Sequence, residues 1–109
     1  MPGLYNGQCN SFEAYKLRGF YLRHQDFRLV LAKGTGQEDF AKDATFCWGK
    51  GLANSDGASF ESVNFPGFYI RHFDYQLFLN KLEDSGQFRL DATFFFRQPL
   101  NSDPPQKTL

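Results

Sequence analysis

An all-β chain is predicted by three features: a unit that occurs twice, short runs of alternating apolar and polar residues, and a wealth of aromatic side chains. Ser11-Phe12-Glu13 matches Ser59-Phe60-Glu61, Gly19-Phe20-Tyr21-Leu22-Arg23-His24 matches Gly67-Phe68-Tyr69-Ile70-Arg71-His72, and Asp43-Ala44-Thr45-Phe46 matches Asp91-Ala92-Thr93-Phe94, every pair at an offset of 48. Gly3-Leu4 and Gly51-Leu52 keep that offset, so no gap interrupts the register. Self-similarity at a fixed period marks a repeated supersecondary unit.

Each copy reads as four short strands, in the first copy near Phe12–Tyr15, Phe20–His24, Phe27–Ala32 and Ala44–Gly49. Phe27, Leu29 and Leu31 alternate with Arg28 and Val30, the pattern of a half-buried strand, and Tyr75, Leu77 and Leu79 repeat it. Pro66-Gly67 suits the centre of a type II turn joining the first two strands of the second copy. No stretch combines helical spacing with caps, so no helix is expected. Phe12, Phe46, Phe60 and Phe94 are expected in the core. Glu13 opposite Arg23 and Glu61 opposite Arg71 are expected as cross-strand pairs. Residues 1–100 are read as one domain of two repeats, about 3–50 and 51–100, and 101–109 as a loose tail with little to bury.

A chain of 109 residues buries only about 60–70% of its unfolded surface, so its core must be dense. Fourteen Phe, five Tyr and one Trp can make it so. The formal net charge is zero and Lys and Arg are scattered, which argues against a nucleic-acid partner. No apolar run approaches the roughly 20 residues of a membrane span. The opening residues are polar and broken by Gly, so no signal-peptide pattern is visible, although a mature secreted chain would look the same.

Cys9 and Cys47 stand 38 apart, one leading into the first strand and the other in the fourth strand of the same copy. If those strands pair, a disulfide is within reach, and it would imply an oxidising compartment. The alternative is two free buried thiols. The second copy has Gly57 and Phe95 at these places, so the repeat itself does not need the pair. Neither Cys has a partner at zinc-finger spacing, and no metal or cofactor is expected.

The residues suited to binding are His24 with Asp43 and His72 with Asp91, both pairs 19 apart. Each His ends the second strand; each Asp is expected to open the fourth, after a loop. Strand ends and loops commonly carry binding groups. A carboxylate accepts strongly from hydroxyls, and an imidazole can donate or accept, so the pair suits a neutral sugar. Tyr21, Phe27, Tyr69 and Tyr75 could supply aromatic faces, or could simply pack. The structural alternative for each pair is a hydrogen bond that fixes a loop. A glycosidase would need two carboxylates across one sugar bond, and no nucleophile elbow, phosphate loop or metal motif is present, so catalysis is not expected.

The segments Ser-Phe-Glu-Ser-Val-Asn-Phe-Pro-Gly-Phe-Tyr-Ile-Arg-His (59–72) and Phe-Arg-Leu-Asp-Ala-Thr-Phe (88–94) resemble the arabinofuranose-binding domain of α-L-arabinofuranosidase B, carbohydrate-binding module family 42. The similarity covers about residues 3–100. It implies a β-trefoil-like fold and binding of arabinofuranose side chains of arabinoxylan or arabinan. It also implies pocket roles for His24, Asp43, His72 and Asp91, a Cys9–Cys47 disulfide, and a secreted protein. The family has three such lobes and this chain has two. Two lobes would leave strand edges and an apolar face uncovered, so the chain either associates with others to complete the barrel, is cut from a longer protein, or closes differently; of these, self-association into a homo-oligomer is the expectation. The leading functional expectation is a non-catalytic module for arabinose-containing polysaccharides. The alternatives are a protein-interaction or assembly module, recognisable by His and Asp buried against each other with no concavity above, and a lectin for another glycan.

Overall fold

The computed structural model describes residues 1–95, so the expectation of a loose tail at 101–109 lies outside the described residues. One six-stranded antiparallel sheet dominates, in the order β1-β2-β6-β5-β4-β3. Its strands are β1 (Phe20–Gln25), β2 (Arg28–Lys33), β3 (Phe46–Lys50), β4 (Ala58–Ser62), β5 (Phe68–Phe73) and β6 (Gln76–Lys81). Two short helices interrupt them, α1 (Glu38–Asp43) and α2 (Gly86–Asp91).

The paired hairpins follow from sequence. β1 and β2 join through Asp26-Phe27, β5 and β6 through Asp74-Tyr75, in the same register. All four turn residues have positive φ, between 53° and 64°. That is the two-residue turn whose twist matches antiparallel strands. Gly67, at φ +87°, sits in the predicted Pro66-Gly67 turn, closed by Phe68 N–H donating to Phe65 O at 3.0 Å.

Three expectations need correction. The absence of helices is the first: each copy makes a six-residue helix before its Ala-Thr-Phe. Phe40 and Phe88 bury one face of these turns, so tertiary packing supplies what the short local pattern lacks. Asp43 and Asp91 therefore end helices rather than open strands, and β3 starts only at Phe46. The second concerns Phe12–Tyr15, which contributes a single bridge, Glu13 with Tyr21, whereas its counterpart β4 is a full strand. β4 pairs on both sides, with β3 and with β5, which holds it extended. The third concerns the glutamates. Glu13 Oε2 accepts from Gly19 N–H at 2.8 Å and pairs with Arg18, and Glu61 Oε2 accepts from Gly67 N–H at 2.7 Å. Both tether a turn, leaving Arg23 and Arg71 for other partners.

Phe46, Ala58, Phe60, Ile70 and Leu79 form the core, with Phe12, Phe65, Phe68 and Phe94 packed against it. Beside it the Cys9–Cys47 disulfide forms, next to the reciprocal backbone bonds between Asn10 and Phe46. At the corresponding place in the second copy, a Cβ on Gly57 would meet the Phe95 ring at 3.1 Å, so an aromatic contact stands where the first copy has its bridge.

The two copies are not equally covered. Phe27 at the tip of the first hairpin packs on Phe65 and Phe68, and Leu79 N–H donates to Phe27 O at 2.9 Å. Leu79 is accordingly fully buried, whereas its counterpart Leu31 remains 42% exposed. One face of each copy needs a neighbour, and each copy has that neighbour on one side only.

Candidate functional site

His24 is the fifth residue of β1 and Asp43 the last of α1, and the fold brings His24 Nε2 to 3.4 Å from Asp43 Oδ1. Three further residues, not singled out from sequence, complete this cluster from the second copy. Asn64 stands between the pair, accepting from His24 Nε2 at 2.9 Å and donating through Nδ2 to Asp43 Oδ1 at 2.9 Å. Ser62 Oγ fixes Asn64 Oδ1 at 2.9 Å, and the Phe65 ring covers the imidazole with centroids 4.7 Å apart. Arg23 donates to the other carboxylate oxygen, Asp43 Oδ2, and its guanidinium lies over Phe40. The His24 side chain is 5% exposed and that of Asp43 20%. This is a closed polar junction between the copies with an accessible acidic rim.

The second copy repeats the cluster without its cover. His72 Nε2 lies 4.0 Å from Asp91 Oδ1, and the His72 side chain is 57% exposed. Asp91 is held by Arg71 Nη2 at 2.5 Å and by Gln87 Nε2, donating to Oδ1 at 2.8 Å. Gln87, one turn earlier on α2, takes the contact that Asn64 makes on Asp43. Burial works to raise the Asp91 pKa, but the hydrogen bonds from Arg71 and Gln87 and the charges of Arg71 and His72 outweigh it and hold the carboxyl below its ordinary value. The imidazole is the open group of this site: the Asp91 carboxylate beside it stays ionised but its side chain is only 8% exposed.

The aromatic candidates separate into two sets. Phe27 and Tyr75 sit at the hairpin tips, both at φ +64°, a region that costs a bulky residue about 1–3 kcal/mol. The Tyr75 side chain is fully exposed, so packing does not explain its place in a strained turn. Replacing Tyr75 by Gly is expected to raise stability by about 1 kcal/mol in denaturant titration, because Gly tolerates positive φ; unchanged or lower stability would show that the ring contributes to the fold. Tyr21 and Tyr69 do not join the His residues. Along a strand they fall on the opposite face, with Arg23 and Arg71. Tyr21 meets Phe40 edge-on at 6.3 Å, and burial together with the Glu61 charge raises the Tyr69 pKa. Strand alternation alone could have made that separation. Asn64 and Phe65 had a fainter signal: they break the repeat, standing where the first copy has Lys16 and Leu17.

Among the described residues no group of three or more His, Cys, Asp or Glu side chains could hold a metal ion, and no helix is long and apolar enough to cross a membrane.

Comparison with known proteins adds a family to this geometry. The alpha-L-arabinofuranosidase B (ABFB) domain model matches twice, at residues 1–51 and 48–107. An arabinofuranosidase/B-xylosidase of Trichoderma koningii is 48% identical over 50 residues, covering 46% of this chain and 10% of that protein. Alpha-L-arabinofuranosidase B of Aspergillus niger is 47% identical over 47 residues, 43% of this chain and 9% of that protein. A crystal structure of arabinofuranosidase complexed with arabinofuranosyl-alpha-1,2-xylobiose superposes with a TM-score of 0.76 at 36% identity, over 87% of this chain and 21% of that one. The chain thus spans a small part of the enzymes it matches. On the two family matches, which between them cover nearly its whole length, the chain belongs to the alpha-L-arabinofuranosidase B domain family.

Proposed function

We propose that this chain is a non-catalytic carbohydrate-binding module for arabinofuranosyl side chains of polysaccharides such as arabinoxylan or arabinan. The observation that carries the reading is the exposed His72 imidazole beside the ionised, largely buried Asp91 carboxylate, with Tyr75 nearby in sequence at a strained turn. Hydroxyls of a furanose ring donate to the carboxylate and exchange hydrogen bonds with the imidazole. In the first copy His24 is covered by Asn64 and Phe65, and Asp43 and Phe27 are the accessible groups. The disulfide suits an extracellular setting. A single sugar site binds weakly, with a millimolar constant worth about −4 kcal/mol, and two sites on one chain raise avidity on a branched polymer. In affinity gel electrophoresis, arabinoxylan in the gel should retard the protein and His72→Ala should remove most of the retardation; migration indifferent to the polysaccharide would end the proposal.

The coverage of the two copies favours a second element of the reading, association of copies in a trefoil-like arrangement. The uncovered apolar groups, Phe73 in the second copy and Leu31 in the first, lie on different surfaces, so contact between chains is head-to-tail. Light scattering at high concentration should give a mass well above 12.6 kDa. A compact monomer at every concentration would contradict association and leave the sugar site untouched.

A further inference from the structure

We propose a second saccharide site in the first copy, on the face of β1 opposite His24, that takes an unbranched stretch of neutral polysaccharide main chain. A cleft of about 580 Å³ opens there, lined among others by Tyr5, Tyr21, Gly34, Gly36, Gln37 and Glu38. That volume lies within the range of pockets that enclose multi-ring ligands, which is more than one furanose requires. The Tyr5 ring is 48% exposed, and Tyr5 N–H donates to Thr45 Oγ1 at 3.1 Å, which fixes its backbone at the cleft wall. Tyr21 is braced edge-on by Phe40. These two rings line the cleft and supply aromatic surface for sugar C–H groups. Glu38 and Gln37 supply acceptors and donors for hydroxyls. The Glu38 carboxylate is balanced by Lys42 at 3.1 Å, and Lys42 also lies over the Tyr5 ring, so the site carries no excess charge and suits a neutral ligand.

The repeat itself shows that the fold does not demand this cleft. At the matching positions the second copy has Ala53 for Tyr5, Leu82 for Gly34, Asp84 for Gly36 and Gly86 for Glu38. Gly34 is what keeps the space beside Tyr21 open, since a Cβ there would meet the Tyr21 ring at 3.2 Å. The cleft shares its ligand class with the proposed function but none of the His–Asp residues, so the two can fail separately.

The test is amide NMR of the full chain titrated with a linear xylo-oligosaccharide and, separately, with an arabinosyl-substituted one. The linear ligand should shift the Tyr5, Gly34 and Gly36 signals saturably. Tyr5→Ala should weaken that response at least tenfold while leaving the His72 response to the substituted ligand unchanged, and Gly34→Leu, which fills the cleft, should do the same. Shifts confined to His72 and Asp91 with both ligands would overturn the cleft and leave the arabinofuranosyl reading standing. Shifts confined to the cleft would support it and overturn that reading. A spectrum unmoved by either ligand would overturn both.

Discussion

Replacing Cys9 and Cys47 together by Ala should lower stability by about 4 kcal/mol, the loop-closure value for the 38 residues that the bridge spans. Small domains have only about 5–15 kcal/mol in total, so most of the margin would go, and the melting temperature should fall by roughly 15–30 °C. The first copy has other ties here, among them Ser11 Oγ donating to Ala44 O at 2.6 Å and Tyr5 N–H donating to Thr45 Oγ1 at 3.1 Å, but they are non-covalent and do not restrict the unfolded chain. Its segment Phe12–Ala14 joins the sheet through a bridge rather than a strand, and Asn10 reaches Phe46 through two backbone bonds beside the disulfide. Differential scanning calorimetry of the double variant checks this. A loss under about 1 kcal/mol would mean that those backbone bonds suffice.

The second large effect is expected at Asp91. Its side chain is 8% exposed and that of Arg71 14%, and they form a buried ion pair. Asp91→Ala would strand the guanidinium, whose Nε has no hydrogen-bond partner, at a cost of about 3–5 kcal/mol. The same carboxylate sets a pH dependence. Its folded pKa is held below the ordinary value, so its contribution is fully present above about pH 4 and is lost as the pH falls through the folded pKa. Urea titrations from pH 6 down to pH 2 should therefore show a steeper loss in the native chain than in Asp91→Asn. Parallel curves would show that Asp91 does not drive the acid response.

Much of this architecture is legible in the sequence because it is local or repeated. The 48-residue offset, the two hairpins and the Pro66-Gly67 turn each rest on neighbours in the chain. The helices were not legible. Gln37 offers no side-chain cap to α1; Ser85 does cap α2, bonding Phe88 N–H, but six residues are too few to show a period. The glutamates misled because backbone amides of a turn compete for a carboxylate as well as an arginine does, and the turn is nearer. At the site, the pairing of each His with its Asp could be read from their common spacing. The contribution of Asn64 and Phe65 could not, since it arises where one copy meets the other, 40 residues from His24 in the case of Asn64. That junction also makes two identical motifs unequal, one closed and one open.

The chain contains two histidines, so each imidazole is its own reporter. Side-chain nitrogen NMR during titration with an arabinofuranosyl oligosaccharide follows them directly. The account predicts a saturable shift of the His72 signals, with a smaller one for His24 beneath Phe65, and none with a ligand of similar size that lacks arabinofuranose. Imidazole signals that stay fixed at ligand saturation of the protein would contradict it.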